Sequence, residues 1–380
     1  MTTLTGILEW PQRAEGRVRQ MSESLVQSVD DPFVPLALGE QYNLRNALEV
    51  TVEVAARKSR RRRRGPQKGD RPVRPMVEQF VAIEGLPPDE FARRKPFEDL
   101  TVIDPQPRYT LEFPGCSPSC RLIDLFCPIG RGQRALIVSP PKAGKTTLLK
   151  DIAGAIARNY DDAEVIALLI DERPEEVTDF RRNVPCKVLA SSNDHDNEKH
   201  IALALWTLDR AKRMVEAGKH VVILLDSLTR LGRAFNASRR HANSGRTMSG
   251  GLDSKALEVP RQIFGAARNT EEAGSLTIIA TCLVDTGSQA DQVIFEEFKG
   301  SGNMELILDR KISERRLFPA INLAASGTRK EDLLLPDAEL KTVTALRRRL
   351  LSMPPPQQVE QLLAALQRFH TNSALVGSAG

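Results

Sequence analysis

The strongest constraint on the fold of this chain is an apolar run followed directly by a phosphate-binding loop. Residues 135–138 read Ala-Leu-Ile-Val, and residues 139–146 read Ser-Pro-Pro-Lys-Ala-Gly-Lys-Thr, with Ser where the motif normally begins with Gly. This order predicts a buried strand, a turn and the start of a helix. Gly144 would let the backbone approach the phosphates, Lys145 would reach the β- and γ-phosphates, and Thr146 would ligate Mg²⁺. A chance match in a turn is the alternative, but the order of elements favours a nucleoside triphosphate site.

The length and composition of the chain indicate a soluble protein of several domains. Its 380 residues are enough for two or three domains, and 41% of them are hydrophobic. No apolar stretch approaches the roughly 20 residues that a membrane helix needs. Residues 1–10 also lack the layout of a signal peptide. We therefore expect a cytoplasmic protein with no membrane partner.

The five cysteines are few and odd in number. Cys116, Cys120 and Cys127 have a spacing that suggests zinc, but no histidine lies nearby and no second pair follows. Reduced thiols, as in a cytoplasmic protein, are the interpretation we favour.

Positive charge is concentrated in residues 57–74, within a chain of formal net charge +5. The segment holds ten basic residues and one acidic residue, and five consecutive arginines lie inside it. Such a block repels itself, which favours a solvated loop. It is either an arm that contacts RNA or a solvating surface loop. Because acidic residues are nearly absent, contact with RNA or another anion is favoured.

Residues 1–88 predict a small β-barrel of the OB type, because short strands separated by irregular loops are typical of such barrels. The candidate strands lie at 6–10, 33–36, 48–54 and 76–83. Residues 89–120 are predicted to be a linker. Seven prolines between 85 and 118 prevent long elements and indicate a segment that wraps around the protein rather than packing as a core.

Residues 121–380 predict an α/β domain with a mostly parallel sheet. Continuous runs of Val, Ile, Leu and Ala are typical of parallel strands that are covered on both faces. These runs lie at 135–139, 164–171, 220–226 and 275–284, with helical patterns between them such as 146–159 and 200–217. Residues 337–370 are predicted to be helical with a break at three prolines, and the Ser/Gly/Ala tail after them is expected to fray.

Two of the predicted strands end in carboxylates. Asp226 follows the run 221–225, where an acidic residue usually supports Mg²⁺ in phosphoryl-transfer enzymes. The run 166–170 leads into Asp171 and Glu172, and a carboxylate beside the phosphate loop can act as a general base. Capping of a following helix is the alternative for each acid alone. Together with the phosphate loop, the acids predict phosphoryl transfer from a nucleoside triphosphate.

Hydrolysis also needs positive charge around the phosphate oxygens in the transition state. Charge alone does not choose among the candidates, which are Lys142, Arg173, Arg230, Arg316 and Arg329.

Six long runs occur in collinear order, and each carries a distinctive motif. They lie at 130–146, 168–178, 223–231, 264–269, 298–306 and 326–331. Together they closely resemble the bacterial transcription termination factor Rho family, most strongly from about residue 121 to 335. The resemblance implies a RecA-like ATPase that binds ATP between the subunits of a homohexameric ring. It also implies translocation along single-stranded RNA and dissociation of transcription complexes that contain RNA polymerase.

The resemblance also implies roles for individual residues at an ATP and Mg²⁺ site. Glu172 would position or activate water with Arg173 beside it, and Phe318 would stack on adenine. Arg329 would be an arginine finger that reaches in from the adjacent subunit, and loss of such a finger costs about 10³–10⁵ in rate elsewhere. The implied catalytic residues are Glu172, Lys145, Arg173, Asp226 and Arg329, and the metal would be held by Thr146 and Asp226. The implied contacts to ATP are Pro140, Pro141, Lys142, Ala143, Gly144, Lys145, Thr146, Thr147, Arg173 and Phe318.

The parts that bind RNA in the family match less well. In the barrel, Glu15 and Arg17 stand where the family supplies two Phe rings, while Phe33 remains as a stacking platform. Pro72 falls near another expected Tyr. Each stacked base contributes roughly 1–3 kcal/mol, so these losses predict weak base selectivity. The arginine block would then hold RNA through salt-sensitive phosphate contacts.

Two loops expected to line the central pore also depart from the family. Arg246, in the Gly-rich segment 244–251, replaces a Lys and keeps its charge, whereas Gln289 replaces a second Lys and loses it. A neutral amide should hold phosphate more weakly than an ammonium. The residues expected to contact RNA are Phe33, Arg60, Arg61, Arg62, Arg71, Arg246 and Gln289.

Two alternatives to an RNA-driven ring ATPase stay open at the level of sequence. The first is a diverged ring ATPase that no longer translocates RNA efficiently, which Gln289 and the missing aromatic residues favour. The second is an RNA-binding protein with a silent ATPase. The complete set of catalytic residues opposes the second alternative.

Overall fold

The computed structural model describes residues 2–11, 14–20, 31–55 and 75–377. The chain divides into two compact units, residues 1–100 with 208–218 and residues 101–207 with 219–380. The basic segment predicted at 57–74 lies outside the described residues. In the part of the chain that is described, no helix has both the length and the apolar character needed to cross a membrane.

The first unit contains a five-stranded antiparallel sheet that curls into a partly closed barrel. Its described strands are β1 Thr2–Glu9, β2 Gly16–Gln20, β3 Phe33–Val34, β4 Glu49–Val54 and β5 Val77–Ile83, and its helices are α1 Leu36–Gln41 and α2 Pro88–Ala92. The strands pair in the order β3, β2, β1, β4, β5. The two edges meet because the Phe33 amide donates to the Pro75 carbonyl at 2.9 Å, and Phe33 forms a parallel bridge with Met76. The predicted barrel is confirmed.

Alternation of side chains explains how these short strands form a core. Leu8, Val18 and Val34 are fully buried on three adjacent strands, and the register places Leu8 directly opposite Val18. Strand β2 was not predicted, because Val18 is its one strongly apolar residue and its position depends on pairing with β1. The predicted strand at 33–36 ends at Val34, since α1 begins at Leu36.

The proline-rich segment contains short elements, as its composition predicts, but it does contribute to the cores. Phe91 packs in the barrel core of the first unit, and Tyr109 and Leu111 are fully buried in the core of the second unit. The expectation that this segment does not pack as a core is therefore wrong. Large apolar side chains between the prolines can be buried even where the backbone forms no long element.

The second unit is an α/β domain. Its described strands are β6 Val102–Ile103, β7 Arg108–Tyr109, β8 Ile129–Gly130, β9 Arg134–Ser139, β10 Ala163–Glu172, β11 Lys187–Ser192, β12 His220–Asp226, β13 Arg268–Thr270, β14 Ser275–Leu283, β15 Met304–Ile307 and β16 Gly327–Thr328. Its helices are α3 Pro118–Phe126, α4 Lys145–Asn159, α5 Pro174–Asn183, α6 Asn197–Glu216, α7 Leu228–Ala237, α8 Glu258–Gly265, α9 Gln289–Phe298, α10 Arg310–Glu314, α11 Asp337–Leu350, α12 Pro355–Arg368 and α13 Asn372–Gly377. Residues 208–216 of α6 group with the first unit.

The order of the central strands places the phosphate loop in the middle of the sheet. The strands run β11, β10, β12, β14, β9, β15, β16, and all neighbours from β11 to β15 are parallel. Residues 275–282 of β14 are buried throughout, so both faces of this strand are covered. Because parallel strands end at the same edge, the sheet gathers Ser139, Glu172 and Asp226 there.

The C-terminal tail is more ordered than its composition suggests. Residues 372–377 form α13, which packs near α11 and α12. The Arg121 Nε donates to Asn372 Oδ1 at 3.1 Å, and the Asn372 side-chain amide donates to the Arg121 carbonyl at 3.0 Å. Leu375 is buried. The expected fraying is wrong for these residues, because buried polar pairing and one apolar anchor hold the helix in place.

Candidate active site

The phosphate loop connects the buried end of β9 to the start of α4. Lys142 and Gly144 both have positive φ values, 64° and 91°, and Gly144 immediately precedes the helix. A Cβ added at Gly144 would lie 3.3 Å from the ring of Phe318, so both the backbone conformation and the space favour glycine. The unpaired amides at the start of the 15-residue α4 form a site suited to anions.

Lys145 lies between the two predicted carboxylates. Its Nζ donates to Glu172 Oε1 at 3.3 Å and also to Asp226 Oδ1. Both carboxylates are buried, with 2% and 1% of their surface exposed, whereas the Lys145 side chain retains 13%. The ammonium is thus shared by two acids that come from different strands. A triphosphate at the loop would compete with these acids for the same ammonium.

Burial and charge shift the protonation of this cluster. Burial is the largest cause that raises the pKa of Glu172, the negative charge of Asp226 is the next, and together they bring it to about 7. Burial lowers the pKa of Lys145, but the charges of Asp226 and Glu172 outweigh it, and the net direction is upward. Lys145 therefore stays a cation, and Glu172 changes its charge near neutral pH.

Two side chains that were not assigned from sequence complete the cluster. The Thr281 hydroxyl, buried on β14, donates to Asp226 Oδ1 at 2.8 Å. Arg230 Nη2, on α7, faces Glu172 Oε2 at 3.4 Å, and this oxygen has no hydrogen-bond partner in the described residues. Among the cations left open by sequence, Arg230 is thus the one beside Glu172, whereas Arg173 is exposed at the start of α5. The signal for Thr281 was a polar residue near the carboxyl end of an apolar strand.

An apolar cavity of about 370 Å³ lies next to the phosphate loop. Phe318 contributes to its wall with 41% of its surface exposed, and Thr147 lies at the loop end of the same cavity. The remaining lining residues are Ser119, Lys142, Ala143, Gly144, Leu148, Leu308, Pro319 and Ala320. An exposed ring beside a phosphate site is suited to stack on a flat aromatic base.

Arg329 lies in a different cavity, of about 620 Å³. Its amide donates to the Asn303 carbonyl at 2.8 Å, and its Nη2 donates to the Gly300 carbonyl at 3.1 Å. This cavity shares no lining residue with the cavity at the phosphate loop. The side chain is exposed and is thus accessible to a second molecule.

The two loops expected to contact RNA lie together in the second unit. Arg246 and Gln289 are both exposed, and Gln289 is the first residue of α9. The backbone of Gly250 lies so close to the amide of Ala290 that an added Cβ would be 2.6 Å away. The Gly-rich segment therefore packs directly on the start of α9.

Phe33 lies in the barrel of the first unit, with the Arg17 guanidinium over its ring at 4.7 Å from the centroid. The ring is half-buried. The other RNA-contact candidates in this unit, Arg60, Arg61, Arg62 and Arg71, lie outside the described residues.

Comparison of the chain with known proteins identifies relatives that agree with this architecture. Residues 119–328 match the nucleotide-binding domain of the ATP synthase alpha/beta family. The chain is 48% identical to the transcription termination factor Rho of Borreliella burgdorferi over 97% of its own length and 69% of that protein. It is 47% identical to the same factor from Aquifex aeolicus over 97% of the chain and 82% of that protein. This chain belongs to the transcription termination factor Rho family.

Further comparisons agree with this placement. The Rho factor of Mycobacterium tuberculosis is 50% identical over 90% of the chain and 56% of that protein. An ATPase from a bacterial type III secretion system, at 21% identity, has a TM-score of 0.61 and covers 82% of this chain and 92% of its own, which shows a shared fold. With its RecA-like domain, this member of the Rho family is an enzyme that hydrolyses ATP.

Proposed function

We propose that this Rho-family ATPase uses ATP hydrolysis at the subunit interfaces of a homohexameric ring to pull single-stranded RNA and terminate transcription. The observation that carries the proposal is the buried cluster of Lys145, Glu172 and Asp226, together with an exposed Arg329 in a separate cavity. In this assignment residues 1–88 form the RNA-binding domain, residues 89–120 are the linker, and residues 121–380 form the ATPase domain that drives translocation. The protein would act on RNA polymerase complexes in the cytoplasm.

At the ATP site, the position of each side chain indicates its role in ATP binding or hydrolysis. The amides of the phosphate loop and Lys145 bind the phosphates, and Phe318 stacks on adenine. As Lys145 turns towards the phosphates, Glu172 loses the nearest positive charge on Oε1 and becomes a stronger proton acceptor. Glu172 then orients the attacking water and accepts its proton. Arg230 lies 3.4 Å from the other oxygen of Glu172 and attracts it through its charge.

The residues present fit Mg²⁺ at this site. Thr146 supplies a hydroxyl at the first turn of α4, and Asp226 supplies a buried carboxylate whose Oδ1 is already oriented by Thr281. Oxygen donors of this kind are those that Mg²⁺ prefers. When bound, the ion would neutralise charge on the β- and γ-phosphates.

Arg329 completes the site from the neighbouring subunit. Its guanidinium is exposed and lies in a cavity that excludes its own phosphate loop, so its charge is available to an ATP bound by another copy of the chain. Arg173, exposed at the start of α5, lies beside Glu172 in the chain and assists at the phosphates. Hydrolysis would then depend on ring assembly.

RNA is held at two places in this proposal. Arg246 and Gln289, which lie on adjoining loops, contact the backbone in the pore of the ring. Phe33 and the arginines at 60–62 and 71 capture RNA at the barrel. Because Gln289 is neutral, Arg246 carries most of the charge-assisted contact in the pore.

The test is the ATPase rate of the purified protein with and without single-stranded RNA homopolymers over a salt series. We expect RNA to stimulate the rate, and the stimulation to decline as salt screens phosphate contacts. Lys145→Ala should lower the rate by about 10²–10³ or more, the cost of losing a preorganised charge contact. Lys150→Ala is the matched control, because Lys150 lies on the same helix and pairs with Asp179 at the surface. Absence of RNA stimulation at every salt concentration would contradict the proposal.

A further inference from the structure

Helix α3 has the cavity at the phosphate loop on one side and the C-terminal helices on the other. Ser119, on the first turn of α3, lines the cavity. Arg121 comes two residues later, and residues two apart in a helix point to roughly opposite sides. Its Nη1 donates to the Leu366 carbonyl of α12 at 3.0 Å, and its Nε donates to Asn372 Oδ1 of α13 at 3.1 Å. The end of the chain therefore holds the helix that forms part of the cavity wall.

Asn372 is the centre of this contact. Besides accepting from Arg121, its Nδ2 donates to the Arg121 carbonyl at 3.0 Å, and its backbone amide donates to Glu112 Oε1 at 2.7 Å. Glu112 in turn pairs with Arg121 Nε at 3.1 Å. Asn372 and Arg121 are both buried, so water competes little for these bonds. The contact thus fixes α13 against α3 with several hydrogen bonds rather than with one.

Another part of the cavity wall is supported by α12. Val359 of this helix is 1% exposed and packs in one apolar cluster with Ile312 and Ala320. Ala320 and Phe318 both line the cavity. The C-terminal helices therefore contact both α3 and the segment that carries the exposed ring of Phe318.

Arg347 on α11 joins the same two parts of the chain. Its Nη2 donates to the carbonyl of Phe126, the last residue of α3, at 2.8 Å. Its Nη1 donates to the carbonyls of Leu323 and Ser326 at 2.7 and 2.8 Å, a few residues after Phe318. All three C-terminal helices α11, α12 and α13 thus hold one or both of the segments that line the cavity.

We propose that the C-terminal helices position the adenine base of ATP. Asn372, through Arg121, fixes α3 as one part of the cavity wall. Val359, through Ala320, fixes the segment that carries Phe318. The inference rests on the proposed stacking of adenine on Phe318. Neither Asn372 nor Val359 lines the cavity, so both are positioning residues.

This role separates binding of the base from binding of the phosphates. The phosphate loop connects β9 to α4, and none of the contacts described above involves a residue of that loop. Loss of a contact to the C-terminal helices should therefore weaken the grip on the base and leave the grip on the phosphates intact. A general loss of stability would weaken both.

The experiment titrates the full chain calorimetrically with ATP and with inorganic tripolyphosphate, which has the phosphates without the base, both in the presence of Mg²⁺. We expect Asn372→Ala to weaken ATP binding about fivefold and to change tripolyphosphate binding by less than about twofold. The effect is moderate because Ser117 also holds α3, through Asp151 of α4 at 2.8 Å. In ATPase assays, the KM for ATP should rise by a similar factor with kcat nearly unchanged.

Leu375→Ala is the matched control. It removes a buried side chain from the same helix but keeps the hydrogen bonds of Asn372, and it should leave the ratio of the two dissociation constants unchanged. Val359→Ala should lower ATP affinity more than tripolyphosphate affinity, as Asn372→Ala does. Because it is a small change in a different helix, it keeps the test decisive if Asn372→Ala fails to fold, which thermal unfolding checks.

Three results would overturn the positioning role. The first is an equal loss of ATP and tripolyphosphate binding in Asn372→Ala and Val359→Ala, the second is no change for either ligand, and the third is a change in ratio for Leu375→Ala as large as that for Asn372→Ala. Phe318→Ala tells this failure apart from failure of the proposed base contact. If it weakens ATP binding alone, adenine stacks on Phe318 whatever the C-terminal helices do, and if it weakens neither ligand, both proposals are wrong.

Discussion

At the scale of single residues, Glu172 illustrates how burial moves the pKa of a carboxyl towards neutral pH. The carboxyl lies at the end of a buried strand, with Lys145 at 3.3 Å from one oxygen and Arg230 at 3.4 Å from the other. Two cations alone would favour the charged form. Burial and the neighbouring Asp226 outweigh them, and the pKa of Glu172 rises to about 7. A general base with this pKa is well matched to catalysis at neutral pH.

This environment predicts the pH dependence of ATP hydrolysis. Glu172 must be a carboxylate to accept a proton, and its pKa lies above its ordinary value. The active form therefore dominates above about pH 7, and we expect the rate to fall about tenfold per pH unit below that value. The measurement is the ATPase rate at saturating RNA and at ATP concentrations well below KM, which reports the free enzyme, from about pH 5.5 to about pH 8.5. Glu172→Gln should give a low rate that does not vary with pH, and a wild-type profile that stays flat to the acidic end would contradict the role of Glu172.

At the scale of elements, α7 joins the ATP site to the loops that are proposed to contact RNA. Near its start, Arg230 faces Glu172, and one turn later Arg233 forms a bidentate pair with Asp291 of α9, at 2.7 and 2.6 Å. Near its end, the Asn236 side-chain oxygen accepts from the Asp253 amide at 2.7 Å, next to the Gly-rich segment. A shift of α7 would therefore affect both sites.

This connection predicts that Asp291→Asn weakens the response to RNA. The buried carboxylate would lose its charged pair with Arg233, and hydrogen bonds to charged groups contribute about 1.5–3 kcal/mol. We expect the RNA concentration for half-maximal stimulation to rise about tenfold, with little change in the rate without RNA. Arg233 is half-exposed, so water can solvate it in the variant.

Glu297→Gln is the control for this prediction. Glu297 lies on α9, as Asp291 does, and the substitution removes its ion pair with Arg261 of α8 at 2.7 Å. That pair lies at the other end of α9 and involves no residue of α7. Equal effects of the two substitutions on RNA stimulation would show that α9 responds to any lost ion pair, and the link through α7 would be wrong.

At the scale of the whole molecule, the cavity beside the phosphate loop and the cavity that contains Arg329 are separate in one chain. Lys145, Glu172 and Asp226 meet at one edge of the sheet. Arg329 follows β16 and lies in a cavity that none of these three residues lines. A shared site between two copies would bring them together.

Mixing of inactive variants tests this arrangement. Arg329→Ala should lower the ATPase rate by about 10³–10⁵, and Lys145→Ala should lower it by about 10²–10³ or more. When the two variants are mixed under conditions that allow exchange of subunits, we expect activity to reappear, because an intact phosphate loop can then face an intact Arg329. A mixture of Arg329→Ala with wild-type-like Lys150→Ala provides the reference for exchange. If the mixture of the two inactive variants stays inactive although subunits exchange, Arg329 acts within its own chain or not at all.

Much of the candidate active site could be predicted from the sequence because its signals are local. An apolar run ending at Ser139 and a Gly-Lys-Thr sequence at 144–146 predict a strand, a turn and a helix without knowledge of any distant residue. The acids at 172 and 226 follow their own apolar runs, and parallel strands place such ends at one edge. These features depend on short-range periodicity and on the chemistry of phosphate binding.

Tertiary structure decided which distant side chains meet. Thr281 reaches Asp226 only because β14 lies beside β12, and Arg17 covers Phe33 only because β2 pairs with β3 in one register. Asn372 holds the tail through Arg121, more than two hundred residues away in the chain. Neither composition nor periodicity encodes these partners, since strand order and register come from burial of the whole core. The sequence by itself determined the chemistry at the phosphate loop, and the packing of the sheet and barrel determined the partners that tune it.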